Sequence, residues 1–214
     1  MLRNEDITRT VQITVRVKGF AGDTCVIYDP LNNRAQTISC PGGEIPVTLA
    51  PYHSRILFPG EALEENTSLG DNLPAGTEPL DLCWSVSTRR ETEEHFTFAF
   101  TETALKPINR YDGYQSFSGN IRYESVLHCD AAKRFILDLG QVAETAKVII
   151  NGKHAGTKIL PPFRFDITPF LQAGENTITV EVSTTRAFEQ RDPFSCYLLL
   201  EAAGMIGPVT CCKE

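Results

Sequence analysis

The chain has 214 residues, with 20 basic against 27 acidic side chains and a formal net charge of −7, which argues against a nucleic-acid or anionic-membrane surface. No local cluster reverses this, since Thr88-Arg89-Arg90 is followed at once by Glu91, Glu93 and Glu94. At 42% hydrophobic and 22% charged the composition is ordinarily globular, with room for one large β domain or two small ones and no run of about 18 apolar residues for a membrane helix.

In chain order, Val11, Ile13, Val15 and Val17 alternate with polar residues and predict a half-buried strand. Thr24 to Tyr28 predicts a second, ended by the turn-rich Asp29-Pro30-Leu31-Asn32-Asn33. Arg34 to Ser39, Glu44 to Leu49 and Arg55 to Phe58 follow, with Gly42-Gly43 turning the chain between them. Short connections make this a meander or small sandwich over residues 1–60. Residues 61–81 lose all strand and helix period, carry Glu61, Glu64 and Glu65 with Pro74, Gly76 and Pro79, and predict a surface linker. The sequon Asn66-Thr67-Ser68 within it reads as a chance match.

A second domain over 82–214 opens at Trp84, the one tryptophan. Phe96, Phe98 and Phe100 alternate with Thr97 and Ala99 as a strand, and Ser118 to His128 forms another after a loop holding Pro107, Tyr111, Gly113 and Tyr114. Asn151-Gly152, between Val148-Ile149-Ile150 and Lys153-His154, is a two-residue hairpin signal because both positions tolerate positive φ. Phe163 to Asp166 is a short strand, Thr168 to Leu171 a single turn that Asp166 can cap, and Ile178, Val180 and Val182 mark a strand with one buried face. The fold class is all-β: a small sandwich followed by a larger one.

Several landmarks of the second domain recur together: LDLGQV, then A-x-V-x-x-NGK-x-x-G, PPFRFDIT and L-x-x-GENTITVEV, with FSGNIRYE upstream and AAGMIGPVT downstream. This order resembles the galactose-binding-like jelly-roll module of glycoside hydrolases. It is similar to the sugar-binding domain of family 2 and closer still to the module ending large family 2-related and rhamnosidase-type enzymes. The phrase CVIYDPLNNRAQTISC…VTLAPYHSRILF resembles the small β-sandwich that often sits between the catalytic barrel and that module. The resemblance implies an accessory, non-catalytic segment whose partners are the catalytic domain of the parent chain and carbohydrate. It also brings in the structural Ca²⁺ that such modules frequently carry, but no stretch here shows a calcium loop, and no cofactor is expected.

Chemical motifs are otherwise few. Glycosidases place two carboxylates across a sugar, and the usual (β/α)₈ platform needs about 250 residues with alternating helices. Here Glu61-Glu64-Glu65 and Glu91-Glu93-Glu94 read as solvated charge runs. His53, His95, His128 and His154 fit no metal-ligand spacing, and no G-x-S-x-G occurs. The seven scattered cysteines lack a C-x-x-C pair and read as small buried hydrophobes, although Cys25 and Cys40 flank a hairpin-like segment and could meet. With the lack of an apolar leader in MLRNEDITRT, they favour a reducing, cytoplasmic setting. A sugar site would combine an aromatic face with planar polar groups in loops at one end of the jelly roll. The candidates are Trp84, Tyr111, Tyr114, Arg122, Asn151, His154, Arg164 and Arg186. Each also has a structural reading: Trp84 as packing, Asn151 as turn geometry, His154 as an idle exposed side chain. A module with no ligand of its own is the alternative.

Overall fold

The computed structural model describes residues 1–20, 22–31, 34–60, 77–129, 134–190 and 202–213. It divides into two compact units, Met1–Asn72 and Leu73–Glu214, and is all-β, as the alternation of apolar residues implies.

The first unit contains β1 (Leu2–Arg3), β2 (Val11–Arg16), β3 (Thr24–Asp29), β4 (Arg34–Ser39), β5 (Glu44–Leu49) and β6 (Ser54–Pro59). Its strands do not form a meander. β5 returns to pair with β2, and β6 crosses to β3, giving the sheets β1-β6-β3-β4 and β2-β5. Inward-facing Ile45, Val47 and Leu49 of β5 meet Cys25 and Ile27 of β3 and Cys40 in one core. The stripe expected on β2 is only partly covered: Val15 packs on that core, whereas Ile13 is 38% exposed because its ribbon has no second neighbouring strand among the described residues. Cys25 and Cys40 are free thiols on this core. Burial, and then the neighbouring Cys40, push the Cys25 thiol up, so it stays protonated and inert at neutral pH. Asn4 is buried and donates to the Leu49 and Ala50 carbonyls at 3.1 Å each, and Arg55 pairs with Asp29 at 3.3 Å.

The second unit contains β7 (Glu78–Pro79), β8 (Trp84–Arg89), β9 (Thr97–Glu102), β10 (Asn120–Cys129), β11 (Phe135–Asp138), β12 (Gln141–Ala143), β13 (Thr145–Ile150), β14 (Lys153–Lys158), β15 (Arg164–Asp166), β16 (Gly174–Ser183), β17 (Gly204–Gly207) and β18 (Thr210–Lys213). A six-stranded sheet, β14-β13-β16-β10-β8-β9, shares one core with the four-stranded β15-β11-β18-β7. Trp84, Val86, Tyr123, Val148 and Val180 enter that core from the larger sheet, and Phe135, Leu137, Phe165 and Cys211 from the smaller. Residues 61–76, including the sequon, lie outside the described residues. Glu78–Pro79, assigned to the linker, instead pairs with β18, where proline is tolerated because the strand is an edge and its missing N–H leaves no ladder bond open.

The Asn-Gly turn forms as expected, with Asn151 at φ 50° and Gly152 at φ 76°. Asp166 accepts from the Thr168 N–H at 3.1 Å and so holds the short 3-10 turn Thr168–Phe170. The long β10–β16 ladder, pairing Asn120 with Ser183 through Cys129 with Gly174, is the spine of the larger sheet.

Candidate functional site

Alternation along each strand sends one set of side chains inward and leaves the outer face of the six-stranded sheet to polar groups. Successive register pairs line up one row across all six strands: Phe98, Ser87, Arg122, Glu181, Lys147 and Thr157. Glu181 is its centre. Arg122 donates to Glu181 Oε1 from Nη2 at 2.7 Å and from Nε at 3.1 Å, and Lys147 Nζ donates to Oε2 at 3.1 Å. Burial alone would raise the Glu181 carboxyl, but the hydrogen bonds and charges of Arg122 and Lys147 outweigh it and hold the group below the usual range. Glu181 is therefore ionised at neutral pH and serves as an acceptor, not as a proton donor.

The next row holds Arg89, Asn120, Ser183 and Thr145. Ser183 donates to Asn120 Oδ1 at 2.7 Å. The guanidinium carbons of Arg122 and Arg89 lie 3.9 Å and 5.1 Å from the centroid of Phe96, so two cations share one ring. Arg89 Nε is buried without a hydrogen-bond partner, and no ion pair involves Arg89 among the described residues. Gly119 makes this arrangement feasible. At φ +149°, any Cβ there would stand 2.4 Å from the Arg89 carbonyl oxygen, so only glycine lets β10 start against the end of β8.

Phe98 is 62% exposed on this face. Phe96, Phe98 and Phe100 would share a face on a regular strand. Instead the register slips so that Val86 faces Phe100 while Ser87 faces Phe98, leaving Ala99 as an extra residue. That bulge turns Phe100 into the core and Phe98 to solvent.

The predicted site residues do not converge. Trp84, expected to offer a ring to sugar, is 1% exposed and packs edge-on against Tyr123 with centroids 6.4 Å apart, because β8 alternation points it inward. Tyr111 has both faces occupied, by Phe100 at 4.1 Å and by Lys106 Nζ at 4.2 Å, and donates to Glu102 at 3.2 Å. Tyr114 packs edge-on to Phe100 and tilted on Phe117. Asn151 spends its side chain on the fold, donating to Phe170 O at 3.0 Å and Asn176 Oδ1 at 2.8 Å and accepting from the Thr177 N–H at 2.9 Å. Arg164, on the smaller sheet, pairs with Asp138 at 2.6 Å, and Arg186 with Glu91 at 3.4 Å. Only Arg122 and His154 lie on the outer face, His154 opposite Ile149 and 3.0 Å from Thr157 Oγ1. Arg89, Phe96, Phe98, Lys147 and Glu181 were missed. The alternation of Arg89, Lys147 and Glu181 with buried neighbours is readable from sequence, but the bulge that turns Phe98 outward and the register joining the row are not.

Elsewhere in this unit a cleft of about 390 Å³ is lined by Leu80, Leu105, Ile206 and Pro208, with Asp81 its one charged wall residue. No three His, Cys, Asp or Glu side chains converge as a metal site among the described residues.

No family model matches the chain. A curated protein described as "Putative beta-glucuronidase", from Formosa agariphila, is 38% identical over 136 residues, or 59% of this chain and 12% of that protein. A solved rhamnosidase from Novosphingobium sp. PP1Y matches 99% of this chain with 22% of its own, at TM-score 0.71 and 22% identity. A β-glucuronidase from an uncultured Clostridium sp. matches 69% of this chain with 30% of its own, at TM-score 0.50 and 17% identity. The chain thus spans a small part of these proteins. Its resemblance to β-rich segments of glycoside hydrolases, family 2-related and rhamnosidase-type, is borne out, and with the two solved structures it shares the fold.

Proposed function

We propose that this chain is a non-catalytic accessory segment of a glycoside hydrolase, a small sandwich plus a galactose-binding-like jelly roll that supports the catalytic part of the parent protein. The observation that carries this reading is the match to a described β-glucuronidase at 38% identity confined to 12% of that protein. The side chains agree with it. Glu181, the carboxylate at the centre of the polar face, is fixed in its ionised state between two cations, which suits an acceptor and not a general acid. Support through packing, in place of sugar stacking by Trp84 or Tyr111, is favoured by the burial of the first and the covered faces of the second.

The test is turnover of a panel of aryl glycosides, including aryl β-glucuronide and aryl α-rhamnoside, by the purified chain. No hydrolysis above the buffer rate is expected. Hydrolysis that Glu181→Gln or Glu124→Gln abolishes while the fold survives would overturn the reading.

A further inference from the structure

We propose that the outer face of the six-stranded sheet binds an oligosaccharide carrying an anionic substituent, with the charge held by Arg89 and Arg122 and a sugar ring laid on Phe98. The proposal rests on the accessory reading above and adds to it a site and a ligand class.

In a chain of net charge −7, this face gathers Arg89, Arg122 and Lys147 around Glu181, with Glu124 one row further along β10. Cations at the adjoining end are already matched, Arg90 with Glu189 and Arg186 with Glu91. Arg89 is not. Arg122 has Glu181 for its charge while Arg89 has no carboxylate among the described residues, so the two guanidinium groups on Phe96 keep one unmatched positive charge that a carboxylate or sulfate would neutralise with strong charge-assisted hydrogen bonds.

The surface around these arginines is polar and hydroxyl-rich. Ser85, Ser87, Asn120, Thr145, Thr179 and Ser183 present short hydroxyl and amide groups on the same face. Such groups fix hydroxyl orientation, while Phe98 offers an apolar ring for the C–H side of a sugar. A protein partner would call for a broader apolar centre. Here Phe98 and Val126 are the large apolar side chains standing well clear of the sheet among the described residues. The row from Phe98 to Thr157 crosses six strands, about 24 Å at ordinary strand spacing, long enough for a short oligosaccharide.

The experiment is titration calorimetry of the whole chain with three oligosaccharides of matched length: one of uronic acid units, one sulfated and one neutral. Saturable binding of at least one anionic form, weaker or absent for the neutral one and reduced by salt at about 0.5 M, is expected. Comparing the uronic and sulfated arms identifies which substituent the arginines take. Arg89→Gln and Phe98→Ala should each raise Kd about tenfold with unchanged thermal unfolding, whereas Arg16→Gln, in the first unit, should bind as the parent chain does. Three results would overturn the proposal: no saturable binding by either anionic form, binding indifferent to Arg89→Gln, or sedimentation showing a dimer that Phe98→Ala disperses. Failure here leaves the turnover test of the accessory reading unaffected.

Discussion

Tyr123 shows how one side chain serves both the core and its closure. Its ring lies against Trp84, and its hydroxyl oxygen accepts from the backbone N–H of Met205, tying β10 to β17 across 82 residues of sequence. Burial pushes this phenol far above its ordinary value of 10.0. Tyr111, buried first and then facing the Glu102 carboxylate, is pushed up to about 12. Both groups therefore hold their protons more tightly folded than unfolded. Their contribution is fully present below pH 10 and is lost as pH rises beyond it, because the unfolded chain releases the protons first. Denaturant unfolding between pH 7 and 11 should show stability falling from about pH 10. Tyr123→Phe should cost about 1–3 kcal/mol at pH 7, since the buried Met205 N–H loses its acceptor, and should flatten the alkaline fall. An unchanged alkaline slope in the variant would show that Tyr123 carries none of it.

At the scale of elements, glycine and register decide what the outer face presents. Gly119→Ala forces a Cβ into the Arg89 carbonyl at a backbone angle that favours glycine, so β8 and β10 must separate where Arg89 is held. A loss of about 2–3 kcal/mol in denaturant unfolding is expected. Full recovery of parental stability would mean that the strand ends shift freely there. The same elements mark the limits of reading from sequence. The strands at Thr24–Asp29, Arg34–Ser39 and Glu44–Leu49, and the Asn-Gly turn, were legible because alternation and positive-φ residues are local signals. The bulge at Ala99 was not, since nothing in TFAFT says which pair of residues on the neighbouring strand faces which phenylalanine. The Phe98–Ser87–Arg122–Glu181–Lys147 row depends on four pairings between residues up to 59 apart in sequence. Those pairings follow from packing of the opposite face, which favours one register over its slipped neighbours.

For the whole molecule, the fold class and the family likeness were legible in sequence, whereas the side chains expected to form one site lie apart in the fold. Loop aromatics suggested a pocket at one end of the sandwich, yet Tyr111 and Tyr114 close over Phe100 and Phe117 and finish the core there. The larger sheet leaves to solvent an outer face of mainly polar side chains. The hairpin joining β13 to β14 has one more consequence. An asparagine followed by glycine is the dipeptide most open to chemical ageing, in which the next backbone nitrogen attacks the side-chain amide and expels ammonia. In this fold the Asn151 amide is hydrogen-bonded to Phe170, Asn176 and Thr177, and those bonds resist the side-chain rotation that the attack requires. The folded chain should keep Asn151 through weeks of storage at neutral pH. The same chain in denaturant should gain one mass unit at that residue by peptide mass spectrometry. Equal rates in both would mean that the turn opens faster than it ages, so the mass at residue 151 doubles as a clock for how often this hairpin lets go.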